Sequence, residues 1–362
     1  MKKVIMSLAV AMMVTTTVCA QQIAVVKGSV TNTYQTLQEA IEGAQDNSVI
    51  YLPGGGFTIA DSVKITKRLT IMGVSHRGDT DNADGASVIS GNLFFEGGSS
   101  GSAVMGCYVS GDINVGTETA AVTDFTARYI NANSIQVKNS ECYGMVVNQS
   151  YLRGASNFGN CNVRLTNNIF STAQNINGGI VNHNIITSWA YYWTGSYGGN
   201  QQYTLWNISN STLTNNYLIN YNNYNHWSKY SDCYISNNCL GTGSWGDNPI
   251  TLDEGKSWDD VFKANKGVSI ASDYHLIGTW GKGTASDGSD LGIYGGSGFS
   301  DKALAPIPYI SEKKIAEQTD AAGKLSIRIK VNAGGSDGSS QGGATGGSDS
   351  DVSIGSGDED GM

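Results

Sequence analysis

The repeated stretch Leu165-Thr-Asn-Asn-Ile-Phe170 decides the fold of this chain. Its pattern is an apolar residue, a polar residue, two Asn and two apolar residues, and it recurs at Val181–Ile186, Leu213–Leu218 and Ile235–Leu240. The copies start 16, 32 and 22 residues apart. Short units separated by variable insertions are typical of solenoids, and a period near about 20 residues with β-forming side chains predicts a parallel β-helix. We expect about ten coils.

The second Asn of each copy suits a sharp turn between two short strands. Asn tolerates the left-handed backbone region, and its side chain can hydrogen bond to neighbouring backbone groups. Stacked on the next coil, the same side chain can also hydrogen bond along the solenoid axis. His183 replaces the first Asn of one copy and is interpreted as a turn residue. We predict a structural ladder of four residues: Asn168, Asn184, Asn216 and Asn238.

The composition excludes several other classes of protein. Of the 362 residues only 15% are charged, 47 are Gly, and 25 of the 32 Asn lie between Asn131 and Asn248. Coiled coils and helical repeats need more Ala, Leu, Glu and Lys, and nucleic-acid binding needs a basic excess, whereas the net charge is −9. We expect no nucleic-acid partner. No stretch after the N-terminus reaches the roughly 18 apolar residues of a membrane span, so none is predicted.

Both ends of the chain differ in composition from the middle. Lys2 and Lys3 precede an apolar run, and small residues follow at Val18-Cys19-Ala20, a pattern that predicts a signal peptide over residues 1–20. The protein is therefore expected to be exported, to become secreted, periplasmic or bound at the cell surface. Residues 334–362 contain 10 Gly, 7 Ser and 6 acidic residues with no Lys or Arg, which predicts a disordered tail. The folded domain is predicted to span residues 21–333.

The cysteines beyond the signal peptide are few, and none stands in a CxxC motif. We interpret them as small buried residues. Cys233 and Cys239 are the one pair close in sequence, which leaves a disulfide between them open.

An N-terminal helix is predicted to close the first coil. Apolar residues at positions 37, 40, 41 and 44 have helical spacing, and Ser48–Leu52 follows as a strand. A lone helix ahead of a column of short strands suits a cap, because the terminal apolar layer of a solenoid would otherwise be exposed.

Five segments resemble known proteins. Thr36–Ile41, Val49–Gly54 and Ile65–Gly73 resemble the opening of pectin-lyase-like right-handed β-helix proteins, and Asp273–Leu276 with Asp287–Gly296 resemble the closing motif of exported bacterial members. The resemblance covers roughly residues 30 to 333. It implies an all-β, right-handed parallel β-helix with an N-terminal cap helix and C-terminal closing strands. It implies no single activity, because this superfamily includes lyases, hydrolases, binding proteins and stalks.

Candidates for catalysis are sparse. Polygalacturonase-like hydrolases carry Asn-Thr-Asp and Gly-His-Gly motifs, and both are missing here. A uronate lyase needs a base and a cation that neutralises the carboxylate of its substrate, and a paired-carboxylate hydrolase needs two acidic side chains. The residues that come nearest to these needs are His226, Lys229, Asp232 and Asp247.

Asp79, Asp81 and Asp84 resemble a calcium-binding loop, but the third Asp comes one place late for an EF-hand. We interpret the segment as a polar loop and expect no cofactor, with calcium as the one ion that this spacing leaves open.

Aromatic residues cluster in the insertions between the Asn repeats. The 57 residues from Trp189 to Trp245 hold 14 of the 33 aromatics and 5 of the 7 Trp. Insertions between coils usually form loops on one face, where Tyr and Trp with interleaved Asn suit stacking on sugar rings. The predicted polysaccharide-binding residues are Trp189, Tyr192, Trp193, Tyr197, Trp206, Tyr221, Tyr224 and Trp227. Three alternatives stay open: aromatics that only pack the loops, a polysaccharide lyase or glycoside hydrolase, and a structural stalk or adhesin without a small ligand.

Overall fold

A computed structural model describes residues 22–78, 85–187, 190–193, 200–219, 230–241, 245–302, 304–305, 308–316, 318–319 and 323–332, with the backbone alone for 190–193 and 200–202. The predicted signal peptide and tail lie outside these residues. The described chain has one α-helix, α1 (Leu37–Gly43), and a 3-10 turn at Trp258–Asp260. Its first strands are β1 (Ile23–Lys27), β2 (Val30–Tyr34), β3 (Ser48–Leu52), β4 (Gly55–Thr58), β5 (Leu69–Gly73), β6 (Ser87–Ser90), β7 (Leu93–Phe95), β8 (Ala103–Met105), β9 (Cys107–Val109), β10 (Ile113–Val115), β11 (Thr126–Arg128), β12 (Asn131–Ala132), β13 (Ile135–Val137), β14 (Met145–Asn148), β15 (Tyr151–Cys161) and β16 (Val163–Thr166).

The remaining strands are β17 (Ile169–Asn177), β18 (Ile180–Asn182), β19 (Ile185–Ile186), β20 (Ala190–Trp193), β21 (Asn200–Tyr203), β22 (Leu205–Ser209), β23 (Thr212–Thr214), β24 (Tyr217–Leu218), β25 (Tyr230–Ser231), β26 (Tyr234–Ser236), β27 (Cys239–Leu240), β28 (Ile250–Thr251), β29 (Phe262–Ala264), β30 (Asp273–Leu276), β31 (Tyr309–Ile315) and β32 (Ile327–Asn332).

The strands wind into three parallel faces. Sheet A has eleven strands in the order β2-β1-β3-β5-β8-β11-β14-β16-β18-β23-β26. A second sheet of fifteen strands has two branches, because β15 and β17 are long enough to belong to both. Branch B runs from β4 through β6, β9 and β12 to β28, and branch C contains β7, β10, β13, β22 and β25 beside the second halves of the long strands. The prediction of an all-β, right-handed parallel β-helix is confirmed.

Stacked aliphatic side chains fill the interior. Along sheet A the register aligns one inward residue per coil, beginning with Ile50 beside Ile71 and Val104. Successive residues of a strand face opposite sides, so the neighbours of each aligned residue in these three- to five-residue strands face outward. The rest of this row is Ala127, Val147, Leu165, Val181, Leu213 and Ile235. Burial of each Val, Leu or Ile stabilises the fold by roughly 1.5–3 kcal/mol.

Helix α1 begins at a complete capping box. The Glu39 amide donates to Thr36 Oγ1 over 3.2 Å, and the Thr36 amide donates to Glu39 Oε2 over 3.2 Å. These bonds satisfy donors that a helix start would leave free. The helix buries Leu37, Ala40 and Ile41, while the antiparallel pair β1–β2 extends sheet A beyond β3.

The two residues at the centre of each Asn repeat have different tasks, which corrects the sequence interpretation. The left-handed conformation belongs to the first position, with φ between 54° and 60° at Asn167, His183, Asn215 and Asn237. The ladder residues that follow them have no positive φ. Asn168 instead donates from Nδ2 to Asn184 Oδ1 over 3.1 Å, and equivalent bonds of 2.9 Å join Asn184 to Asn216 and Asn216 to Asn238. The second side chain therefore bonds along the helix axis, whereas the first position turns the chain.

A segment after the last coils covers one face of the helix. Within the described residues sheet A contains nine parallel strands, from β3 to β26, and branch B contains ten, from β4 to β28. Residues 258–302 and 304–305, here called the closing segment, fold back over the outer face of branch B. There Phe262 packs against Tyr217, with ring centroids 4.8 Å apart. Burying this face removes it as a surface for ligands.

The left-handed side chains hold the closing segment in place. Asn167 Nδ2 donates to the carbonyls of Ile293 and Gly295 over 2.8 and 2.7 Å. One coil further, His183 Nε2 lies 3.1 Å from Asp287 Oδ2. The Ser286 amide donates to Asn215 Oδ1 over 2.8 Å in the coil after that. The first position of the repeat therefore anchors one segment along several coils.

The disulfide left open by the sequence is absent, because Cys233 and Cys239 are both free thiols. Cys233 packs against the interior, and its thiol donates to the Ile208 carbonyl over 3.6 Å. Cys239 packs in the separate cluster under the closing segment. The two thiols therefore lie on different sides of the coil wall. No α-helix in the described part of the chain is long and apolar enough to cross a membrane.

Candidate functional site

An uncharged row of amides lies along the outside of branch C. Strand register aligns Asn114 with Gln136, Gln136 with Asn157, and Asn157 with Gln174. We call these four residues the amide row. Neighbouring coils stack ~4.8 Å apart, so the row presents one amide per coil along the helix axis.

Alternation along each strand turns these amides outward. Asn114 lies between the buried Ile113 and Val115, and Gln136 lies between the buried Ile135 and Val137. A residue between two inward-facing residues of a strand must face the opposite side, so these amides point outward and are half-exposed.

Three members of the amide row keep hydrogen-bonding capacity toward solvent. Gln136 Nε2 donates to Ser134 Oγ and the Ala155 carbonyl, which leaves its Oε1 free among the described contacts. Asn157 Oδ1 accepts from Asn175, and its Nδ2 has no partner among the described residues. The Asn114 side chain has none there either. Acceptors and donors are therefore both available, as hydroxyl-rich ligands require.

The row has a charged end and an aromatic end. Before Asn114 the register continues to Phe94, whose ring is covered by the Lys64 ammonium 3.4 Å from its centroid. After Gln174 it continues to Trp206, and the Tyr203 hydroxyl donates to Gln174 Oε1 over 2.9 Å. One of the predicted sugar-binding residues, Trp206, therefore borders the row at its Gln174 end.

Trp206 itself is not a stacking platform, which corrects its predicted role. Only 6% of the residue is exposed, and its ring packs 5.5 Å from that of Tyr203. Trp206 faces outward in register with Gln174, and neighbouring side chains such as Tyr203 cover its ring, for which burial is favourable.

The other predicted sugar-binding residues lie outside the described side chains. Tyr192 and Trp193 belong to β20, whose backbone pairs with β21 in an antiparallel hairpin. No position is described for five others: Trp189, Tyr197, Tyr221, Tyr224 and Trp227.

Both aromatic insertions share one location in the topology. The chain leaves branch B after β19 and reaches branch C at β22, and it leaves branch B again after β24 and reaches branch C at β25. Both insertions therefore start and end beside the corner between branches B and C, next to the Gln174 end of the amide row. The amide row could not be predicted from the sequence, because its members have no common motif.

The predicted catalytic residues do not assemble among the described side chains. Asp232 is exposed and has a left-handed backbone with φ 54°, as a turn residue does. Asp247 is exposed too, and its backbone bonds to Asn237 and Ile235. His226 and Lys229 lie outside the described residues, as do the calcium candidates Asp79, Asp81 and Asp84. No group of three potential metal ligands occurs in the part of the chain that the structure describes.

One titratable cluster lies in the closing segment, where the sequence suggested only a closing motif. His275 Nδ1 is 2.7 Å from Asp273 Oδ1, and its Nε2 is 3.6 Å from Asp301 Oδ2. Tyr294 donates its hydroxyl to Asp301 Oδ1 over 2.6 Å and stacks on the imidazole at 3.9 Å. Burial and the Asp301 carboxylate raise the pKa of Tyr294 far above its ordinary value.

Comparisons with known proteins identify no family. No protein-family model and no curated protein sequence matches the chain. Among solved structures, the deglycosylated pectin methylesterase from Aspergillus niger is similar at 11% identity and a TM-score of 0.25, over 68% of this chain and 89% of that one. The fold assignment rests on the strand pairing described above.

Proposed function

We propose that this protein is exported and binds a polysaccharide along the amide row and the aromatic insertions beside it. The observation that carries the proposal is the alignment of Asn114, Gln136, Asn157 and Gln174 in one outward line. A rung spacing of ~4.8 Å is close to the length of one pyranose residue in an extended glycan chain. The chain would therefore run parallel to the helix axis, with one sugar per coil.

The chemistry of the row favours neutral or weakly acidic sugars. Amides donate and accept hydrogen bonds at once, as sugar hydroxyls do, and they carry no charge. At the Phe94 end of the row, Lys64 is already paired with Glu96 over 3.7 Å. Binding should then depend only weakly on salt, since screening acts on charges.

The test is a titration with neutral and uronate oligosaccharides of increasing length, followed by tryptophan fluorescence. Each lost hydrogen bond is worth about 0.5–1.5 kcal/mol, so the double variant Gln136→Ala/Asn157→Ala should bind roughly tenfold more weakly. Asn32→Ala, an exposed amide on β2, is the matched control. Affinity should rise with length up to about four sugars, one for each member of the row.

The aromatic part of the proposal has its own variant. Trp193→Ala should weaken the binding free energy of the oligosaccharide by on the order of 1–3 kcal/mol, by analogy with bases stacked on aromatic rings. If no oligosaccharide perturbs the fluorescence, the polysaccharide proposal fails and a stalk or adhesin becomes the better reading.

Cleavage of the bound polysaccharide is a second candidate, favoured by the cluster around His275. The Asp273 carboxylate orients the imidazole in the way that a general base requires. Reducing-end release or absorbance of unsaturated uronate, lost in His275→Ala and kept in Asn32→Ala, would support an enzyme. A panel of polysaccharides left intact would eliminate it.

A further inference from the structure

Two buried thiols lie in neighbouring coils at the corner between branch C and sheet A. Cys142 follows β13, and Cys161 ends β15 in the next coil. Gln136 and Asn157, which precede the two cysteines in their coils, are paired in register, and so are Met145 and Val163, which follow them. The two cysteines therefore occupy equivalent positions in adjacent coils. Both are 2% exposed and belong to the interior cluster.

Hydrogen bonds to one carbonyl oxygen hold the two cysteines side by side. The Asn139 carbonyl accepts the Cys161 thiol over 3.2 Å and also the Cys142 amide over 3.2 Å. The two thiols are also close enough to influence each other electrostatically. Stacked coils lie ~4.8 Å apart, which falls within the Cα separation that disulfides span.

The environment of Cys142 favours the reactive thiolate. Interaction with the Cys161 thiol lowers the pKa of Cys142 to about 7, against an opposing effect of burial. The Val122 amide adds a further hydrogen bond over 3.3 Å. Cys107 differs, because burial raises its pKa to about 12. The thiolate is the nucleophile in disulfide exchange, so Cys142 is the reactive member.

We propose that Cys142 and Cys161 form a disulfide between adjacent coils by exchange with a small-molecule disulfide such as oxidised glutathione. The Cys142 thiolate attacks one glutathione sulfur, and the first glutathione leaves as a thiolate. Cys161 then loses its proton and attacks Cys142 Sγ, which expels the second glutathione. The two cysteines are oxidised, one glutathione disulfide is reduced to two thiols, and the two protons pass to those thiols.

The bond would connect the coils that carry Gln136 and Asn157. Because both sulfurs are buried, the exchange requires local opening or an incomplete coil during folding. An oxidising compartment outside the cytosol supplies a suitable oxidant.

The experiment compares full-length protein refolded from urea with and without oxidised glutathione, then denatured and alkylated without reductant. Trypsin releases Cys142 in the peptide Asn139–Arg153 and Cys161 in Gly154–Arg164. With glutathione we expect the two peptides joined, and two fewer alkylated cysteines than in the reduced protein. Reduction before digestion should separate them.

Single variants make the assignment specific. Cys142→Ser and Cys161→Ser should each abolish the joined peptide, whereas Cys107→Ser should leave it. Separately alkylated peptides after refolding with glutathione, or a joined pair that involves another cysteine, would overturn the proposal.

Discussion

Asn216 Oδ1 accepts two hydrogen bonds from Asn184, one from its backbone amide and one from its Nδ2, each over 2.9 Å. Asn216 Nδ2 in turn donates to the Val181 carbonyl over 2.8 Å and to Asn238 Oδ1 over 2.9 Å. A fully buried amide is thus completely satisfied, and three coils are joined through one side chain.

Asn216→Leu should destabilise the protein strongly. The substitution leaves the Asn184 amide and the Val181 carbonyl without their partners, and each buried unsatisfied group costs about 1–3 kcal/mol. We expect a loss of roughly 3 kcal/mol or more in the free energy of unfolding. Asn177→Leu, at an exposed position, is the control and should change stability by less than about 0.5 kcal/mol. Equal denaturation midpoints for the two variants would contradict a ladder role.

Two substitutions of Asn215 distinguish its role as a turn residue from its role in holding the closing segment. Asn215 has φ 60°, so Asn215→Ala should cost about 1–2 kcal/mol more than Asn215→Gly, which tolerates the left-handed region. Either change removes the acceptor of the Ser286 amide, and hydrogen exchange at that amide should accelerate.

The exposed residue Asn210, with φ 49°, is the matched pair for that test. The Ala and Gly variants of Asn210 should differ in stability by the same amount as those of Asn215. Hydrogen exchange at the Ser286 amide should stay unchanged in both Asn210 variants. Similar Ser286 rates in the Asn215 and Asn210 variants would mean that Asn215 does not hold the closing segment.

Two glycines of the closing segment should respond differently to Ala. Both have positive φ, 73° at Gly292 and 78° at Gly288. A Cβ at Gly292 would lie 2.6 Å from Tyr217 Cδ2, whereas a Cβ at Gly288 would meet nothing within 4 Å. Gly292→Ala should therefore cost about 1–3 kcal/mol more than Gly288→Ala in thermal unfolding. Equal losses would show that backbone strain alone matters.

Acid should weaken the attachment of the closing segment. Partial burial pushes the pKa of Asp287 upward, but hydrogen bonds from Ser289 and His183 outweigh it and hold this pKa below its ordinary value. A carboxyl with a lower pKa in the folded chain stabilises it above the unfolded pKa of about 4, and this contribution disappears as the pH falls through the folded value. The pKa of Asp273 is lowered as well, so it acts in the same window.

The measurement is the denaturation temperature from about pH 6 to about pH 3. Asp287→Asn should flatten the acid limb of this curve, whereas Asp253→Asn, at an exposed position, should leave it unchanged. An acid limb that is identical in both variants would refute the role of Asp287.

The sequence alone determined the solenoid. Apolar residues at fixed places around paired Asn specify short strands and turns, because strand alternation and turn preference act over a few residues. The stretch Thr36–Glu39 determined the start of α1 for the same reason, since a capping box is a local set of hydrogen bonds.

Only the tertiary structure decided which faces of that solenoid are open. Asn167 meets Ile293 and Gly295, more than a hundred residues away in sequence, and no local pattern reports such a contact. The same holds for Trp206, whose aromatic character suggested a sugar platform but whose strand register turns it against Tyr203. The amide row also has no motif, because the register of four strands, set by packing of the whole interior, brings its members into line.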